Sequence, residues 1–196
     1  MSELDKFVKV SSNNLKPAKG RLLLSEPLMG DFYFGRAVVL LAEHNEEGSF
    51  GLVLNKPVRH KFNSVVKDFP DFDGNLYLGG PVETNSLFFI HTIGDIIEGS
   101  IEIGSGLYWG GDIDIVKEMI LLKAITPADI RFSIGYSGWS PDQLQEELKR
   151  NSWVVSTGLT KDILKIDPKK MWKELLVPLG DNYRHWPNFP SDPGLN

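Results

Sequence analysis

Several short stretches hold residues whose types and spacing could do chemistry. In the first, Gly135-Tyr136-Ser137-Gly138-Trp139, a serine sits between an alternating apolar segment and the helix-opening run Ser140-Pro141-Asp142-Gln143. Strand, tight turn, apical serine and helix form the setting of the G-x-S-x-G nucleophile elbow, where the hydroxyl attacks a carbonyl. Trp139 occupies the place of the last glycine. A hydrolase also needs a histidine and a carboxylate beside the serine, and the chain offers only His44, His60, His91 and His185, of which His44 or His91 are the ones to approach. A turn serine that satisfies local backbone groups accounts for Ser137 more simply.

Two further glycine-rich stretches invite a phosphate-binding reading and fit it poorly. Gly104-Ser105-Gly106-Leu107-Tyr108-Trp109-Gly110-Gly111 follows a strand and precedes a helix, yet Trp109 replaces the third glycine of a dinucleotide loop and Asp112 would repel a pyrophosphate. Gly79-Gly80-Pro81 lacks the Lys-Ser/Thr of a P-loop. The polar run Glu43-His44-Asn45-Glu46-Glu47 has no H-x-H or H-E-x-x-H spacing to hold a metal, and an exposed hairpin loop is the simpler reading. Glu147, four residues after Gln143 beside an apolar stripe, is a better acid/base candidate, although pairing with Arg150 or capping backbone explains it as well.

The elements that must position these residues are legible in outline. Ile130 to Gly135 alternates as a strand with one buried face, and glycines 135 and 138 mark a sharp turn. A helix begins at about Pro141, with Ser140 and Gln143 as a capping box, Leu144 and Leu148 facing inward, and Asn151 as its C-terminal cap. Upstream, strands are expected at residues 20–24, 37–42, 49–54, 76–78, 87–92 and 96–103, with 37–42 and 49–54 closing a hairpin that Asn55-Lys56-Pro57 terminates. Helices are expected over 2–10, over 62–69 capped by Asn63, over 113–125 capped by Asp112 as the longest, and after Asp167-Pro168 up to Gly180. Strands arriving mostly as hairpins predict an α+β fold, with a mixed, largely antiparallel sheet forming a barrel-like core and about three to five helices around it.

Composition narrows the function classes. The 196 residues suffice for one domain, expected over 20–180, with an N-terminal extension over 1–19 and a Pro-rich tail over 181–196 that is disordered or laid down by Tyr183, Trp186 and Phe189. The absence of cysteine removes disulfides, thiolate zinc sites and cysteine nucleophiles. No apolar run reaches the roughly 20 residues of a bilayer span, and no secretory h-region opens the chain, so a cytoplasmic protein without a membrane partner is expected. A net charge of −5 disfavours direct DNA binding, and the two long helices are separated by a strand, which excludes a helix-turn-helix.

Five motifs in order carry a family resemblance: Pro27-Leu28-Met29-Gly30-Asp31-Phe32-Tyr33-Phe34, Glu43-His44, Gly51-Leu52-Val53-Leu54-Asn55-Lys56-Pro57, Gly79-Gly80-Pro81-Val82, and Gly135-Tyr136-Ser137-Gly138-Trp139 with Gln143-Leu144, Glu147 and Asn151-Ser152-Trp153. The chain resembles the AlgH/YqgE family over about residues 20–180. It departs from the pattern at Asp142, where glycine is usual, and at Gln145, where glutamate is usual. The resemblance implies an α+β fold with a β-barrel-like core and carries the label of transcriptional regulator, with no catalytic residues, cofactor or metal. Together these readings predict a non-enzymatic regulatory protein that acts through an unknown protein or small-molecule partner. Its binding residues are expected to be His44, Asn55, Gly79, Gly80, Tyr136, Ser137, Trp139, Gln143 and Glu147, at strand ends where loops on a rigid scaffold carry function. The alternatives are a serine hydrolase using Ser137 and a direct DNA-binding regulator.

Overall fold

Alternation along the early strands sends neighbouring side chains into different cores. Leu22, Leu24, Val38, Leu40, Leu52 and Leu54 pack with Val154, Met171, Trp172 and Leu176, whereas Leu23, Val39, Leu41 and Val53 pack with Trp139, Leu144, Trp153 and Val155. A segment such as Val38-Val39-Leu40-Leu41 is apolar without interruption because both faces of its strand are covered. The computed structural model describes residues 13–189. The helix expected over 2–10 and the end of the tail lie outside them.

Among the described residues ten strands form one sheet: β1 (Leu22–Ser25), β2 (Val38–Asn45), β3 (Gly48–Val53), β4 (Pro57–Lys61), β5 (Asn75–Leu78), β6 (Val82–His91), β7 (Ile101–Gly104), β8 (Leu107–Trp109), β9 (Ile130–Trp139) and β10 (Trp153–Ser156). The path runs β10-β1-β2-β3-β9-β6-β8-β7, with β5 and then β4 branching from β9. Every pairing is antiparallel except β5 with β9. The fold is α+β as expected, and the barrel-like core is a curled sheet rather than a closed one, since its end strands β10 and β7 do not pair among the described residues. Among the described residues four α-helices accompany the sheet: α1 (Phe62–Val65), α2 (Ile113–Leu121), α3 (Gln143–Lys149) and α4 (Pro168–Leu176). A phenylalanine-rich core of Phe62, Phe72, Phe89 and Phe132 with Val116 and Ile120 fills the space under α1 and α2.

Local signals decided most helix ends and misled where another nearby bond competed. Asp112 and Asp167 cap α2 and α4 through their carboxylates, as expected. Asn151, at φ 58, closes α3 with the paired Schellman bonds Ser152 N–H to Glu147 O and Asn151 N–H to Leu148 O. The α2 helix stops at Leu121 instead of 125, because Lys123 takes the left-handed position usually given to glycine and the same bond pair forms there. That makes α2 no longer than α4, at nine residues each. Asn63 does not cap a helix over 62–69: only Phe62–Val65 is helical, and the Asn63 amide instead binds Phe69 O, Pro70 O and Phe72 N–H, pinning the loop that follows.

Three strand expectations change as well. The 96–103 strand shrinks to Ile101–Gly104, which turns at Ser105-Gly106 (φ 55 and 76) into β8. Two successive positive φ values are what a tight hairpin requires, and the glycine-rich stretch before α2 is therefore a hairpin rather than a loop. The chain does not leave the sheet at Pro57 but continues as β4 against β5. Tyr183 and Trp186 are buried in the same core as α4, which lays the first part of the tail onto the body.

Candidate functional site

The glycines of Gly135-Tyr136-Ser137-Gly138-Trp139 do not end a strand. β9 runs straight through them and changes partner on one edge, from β5 up to Ile134 to β3 from Ser137 to Trp139, while β6 stays on the other edge as far as Tyr136. Gly135 takes φ 68 opposite the place where β6 shifts register, between Val82 and Leu87, and the strand does not turn back. Into the same handover comes Gly79-Gly80, leaving β5. Gly79 N–H donates to Ile134 O, and Gly79 O accepts from Val53 N–H and from the Ser137 hydroxyl at 3.0 Å. A Cβ on Gly79 would stand 2.1 Å from Gly135 O, and one on Gly80 2.3 Å from Tyr136 C, so both backbones cross where only hydrogen fits.

Ser137 is therefore a lock on this crossing. It is wholly buried, and neither histidine offered to it in the sequence bonds it. His44 Nδ1 lies 2.7 Å from Ser49 Oγ, its cross-strand neighbour, and burial pushes the imidazole below its ordinary value. His91 accepts from Ile93 N–H at Nδ1 and donates from Nε2 to Gly110 O, the pattern of a neutral ring, and burial lowers it too. No hydrogen-bonded serine–histidine–carboxylate chain exists among the described residues. Ser137→Ala is expected to cost about 1 kcal/mol of stability, the worth of one buried hydrogen bond. A serine-reactive phosphonate should leave that position unlabelled, and labelling detected by mass spectrometry would restore the hydrolase reading.

Glu147 and Gln143 are likewise engaged. Glu147 Oε2 accepts from the indole N–H of Trp139 at 2.9 Å and of Trp153 at 2.7 Å, while Oε1 accepts from Gln143 Nε2 at 3.0 Å. Gln143 Oε1 in turn accepts from Ser140 N–H at 3.0 Å, the reach-back half of a capping box, with the helix starting at Gln143 and not Pro141. One carboxylate thus ties the end of β9 to the start of β10 through α3. Asn55 sits at the opposite end of the β2–β3 hairpin from His44, where its side chain accepts from Val38 N–H and donates to Arg36 O, both at 2.9 Å.

What remains accessible is a groove of about 480 Å³ at the far end of β3 and β9. Tyr136, Gly138 and Trp139 line it, together with Glu43, Asn45, Glu47, Ser49, Phe50, Val82 and Pro141. His44 opens onto a neighbouring hollow with Glu46, Asp142 and Gln145. Phe50 stacks within 4.9 Å of Tyr136 and 4.8 Å of Trp109, and Phe88 lies 5.4 Å from Tyr136, so the aromatic floor is fixed by its own packing. Phe50 carried no signal in the sequence; it joins the site because Gly138 opposite it lacks a side chain. Glu43 and Glu47 belong to none of the ion pairs among the described residues, and no lysine or arginine lines the groove. An acidic, aromatic, open groove attracts cationic groups, which gain from both the carboxylates and the ring faces.

Residues 22–184 match the family described as AlgH-like. The chain is 45% identical over 189 residues to a UPF0301 protein of Bacteroides thetaiotaomicron, covering 96% of each, and 43% identical over 198 residues to one of Parabacteroides distasonis, covering both in full. Its fold is similar to the solution structure of the AlgH protein from Pseudomonas aeruginosa (TM-score 0.67, 28% identity, 85% of this chain and 94% of that one). It is also similar to a Corynebacterium diphtheriae protein solved by X-ray crystallography (TM-score 0.72, 22% identity, 89% and 94% covered).

Proposed function

The chain belongs to the AlgH-like family, and on that premise we propose that it is a non-enzymatic regulatory protein whose partner is a basic segment of another protein, held in the acidic aromatic groove. The observation that carries this reading is the pairing of two uncompensated carboxylates, Glu43 and Glu47, with a rigid floor of Phe50, Tyr136 and Trp139. A wide, shallow groove suits an extended peptide better than an enclosed metabolite, and its fixed rings lower the ordering cost of binding. Lysine or arginine side chains of the partner pair with the carboxylates and lie over Tyr136, and apolar neighbours cover Val82 and Pro141.

The test is a panel of short immobilised peptides of graded charge, probed with the full chain. Peptides combining lysine or arginine with aromatic residues are expected to bind, acidic ones not, and binding should weaken with salt. The Glu43→Gln/Glu47→Gln double variant should lose about tenfold in affinity, as expected for two charge contacts of exposed strength. Equal capture of acidic and basic peptides, or a double variant that binds unchanged, would overturn the proposal.

A further inference from the structure

At the other end of the β2–β3 hairpin the charge reverses. Two loops and one helix bring Arg36, Lys56, Lys169 and Lys173 around a cavity of about 290 Å³, with Asn55 and Trp172 in its wall. Lys169 and Lys173 are four residues apart on α4 and so share its exposed face. Arg36 and Lys56 flank the hairpin's ends and are held by backbone: Asn55 donates to Arg36 O, which fixes Arg36 at the left-handed φ of 53, and the Lys56 ammonium donates to Gly35 O. The Arg36 guanidinium stands over the Trp172 ring at 5.4 Å and donates through Nη2 to Phe189 O.

Two features single this cluster out from a solvated basic surface. The Nε–H of Arg36 is buried and has no hydrogen-bond partner, a rare condition for a guanidinium. None of the ion pairs among the described residues involves any of the four cations, in a chain of net charge −5. The nearby acids make no ion pair with them: Asp31 accepts from Tyr33 and Phe34 N–H, and Asp167 from Lys169 N–H. Burial pushes the Lys56 ammonium below its ordinary value, Asp31 opposes this and Arg36 adds to it less strongly, so an anion entering here offsets chiefly the lost hydration of the ammonium.

We infer that this cavity binds the phosphate group of a small phosphorylated molecule. A phosphate oxygen supplies the acceptor that Arg36 Nε–H lacks, its two charges are matched by convergent lysines, and the planar fork of arginine suits it better than a monovalent carboxylate. The volume leaves room for a group of sugar size beside the phosphate and excludes a folded partner. The site lies a full hairpin length, roughly 25 Å for eight residues of strand, from the acidic groove and does not depend on it.

The experiment is an amide-resonance titration of the full chain with inorganic phosphate and, separately, with ribose 5-phosphate, chloride balancing ionic strength. Both should shift residues around Arg36, Lys56 and the α4 lysines; tighter binding of the ester assigns the rest of the cavity to the attached group, and equal binding assigns recognition to phosphate alone. Lys169→Gln/Lys173→Gln changes exposed residues that the fold does not need and should weaken both ligands at least about fivefold. Arg36→Lys keeps the charge, removes the unpaired Nε–H and should weaken them further. Glu43→Gln/Glu47→Gln should leave phosphate affinity intact, which separates this result from the fate of the groove proposal. Shifts reproduced by chloride alone, shifts confined to other regions, or unchanged affinity in the lysine double variant would overturn the inference.

Discussion

Replacing Gly79 by alanine is expected to remove a large share of the protein's stability and lower its melting temperature by more than about ten degrees. The new Cβ would lie 2.1 Å from Gly135 O and 3.0 Å from Leu52 Cδ2, and the nearer neighbour is backbone of β9, which cannot rotate aside. Relief requires β5 to separate from β9, which breaks the bonds Gly79 makes to Ile134, Val53 and Ser137 together. A loss above about 4 kcal/mol follows, a large share of the roughly 5–15 kcal/mol that stabilises a domain. Gly30→Ala is the control: its Cβ meets nothing within 4 Å, and the change should be neutral or slightly stabilising. Thermal denaturation followed by circular dichroism decides the matter, and a Gly79→Ala protein melting within a few degrees of wild type would refute the crossing as described.

The second large effect is expected at Glu147. Alanine there strands the indole N–H groups of Trp139 and Trp153, which are 6% and 1% exposed, and removes two hydrogen bonds to a charged acceptor. At about 1.5–3 kcal/mol for each such bond, the loss should come to about 3–6 kcal/mol. Glutamine is the informative contrast. Its carbonyl can still accept from the indoles, but its amide then meets the Gln143 Nε2 donor, and Gln143 cannot flip without giving up Ser140 N–H. Glu147→Gln should therefore cost about 1–2 kcal/mol and loosen the start of α3, read as faster amide exchange at Ser140. Denaturant midpoints that place alanine and glutamine together would show that the tryptophans are held by packing alone.

These two positions also show why the expected binding residues divided as they did. Gly79, Gly80, Ser137, Gln143 and Glu147 stood out by residue type, because glycine pairs, a buried serine and a lone glutamate near tryptophans are what sites are made of. A strand crossing and an indole clasp need the same types for another reason: close backbone approach excludes Cβ, and a buried N–H demands an acceptor. Nothing within a few residues of Gly79 distinguishes the two uses, since its clash partner, Gly135, is 56 positions away.

Local information determined the elements whose bonds are local. The caps of α2 and α4 at Asp112 and Asp167, the α3 ending at Asn151, the β2–β3 hairpin and the α+β class all follow from side chains reaching backbone within a few residues and from period-two burial. The family motifs were likewise readable as strings. Only the tertiary structure decided that β9 continues through its glycines, that Phe50 and the Glu43 and Glu47 carboxylates meet Tyr136 and Trp139, and that Arg36 and Lys56 converge on α4. The physical reason is common to all three. A strand's partners and a loop's neighbours are chosen by bonds between distant segments, and a slip of one residue in register sends every later side chain to the other face.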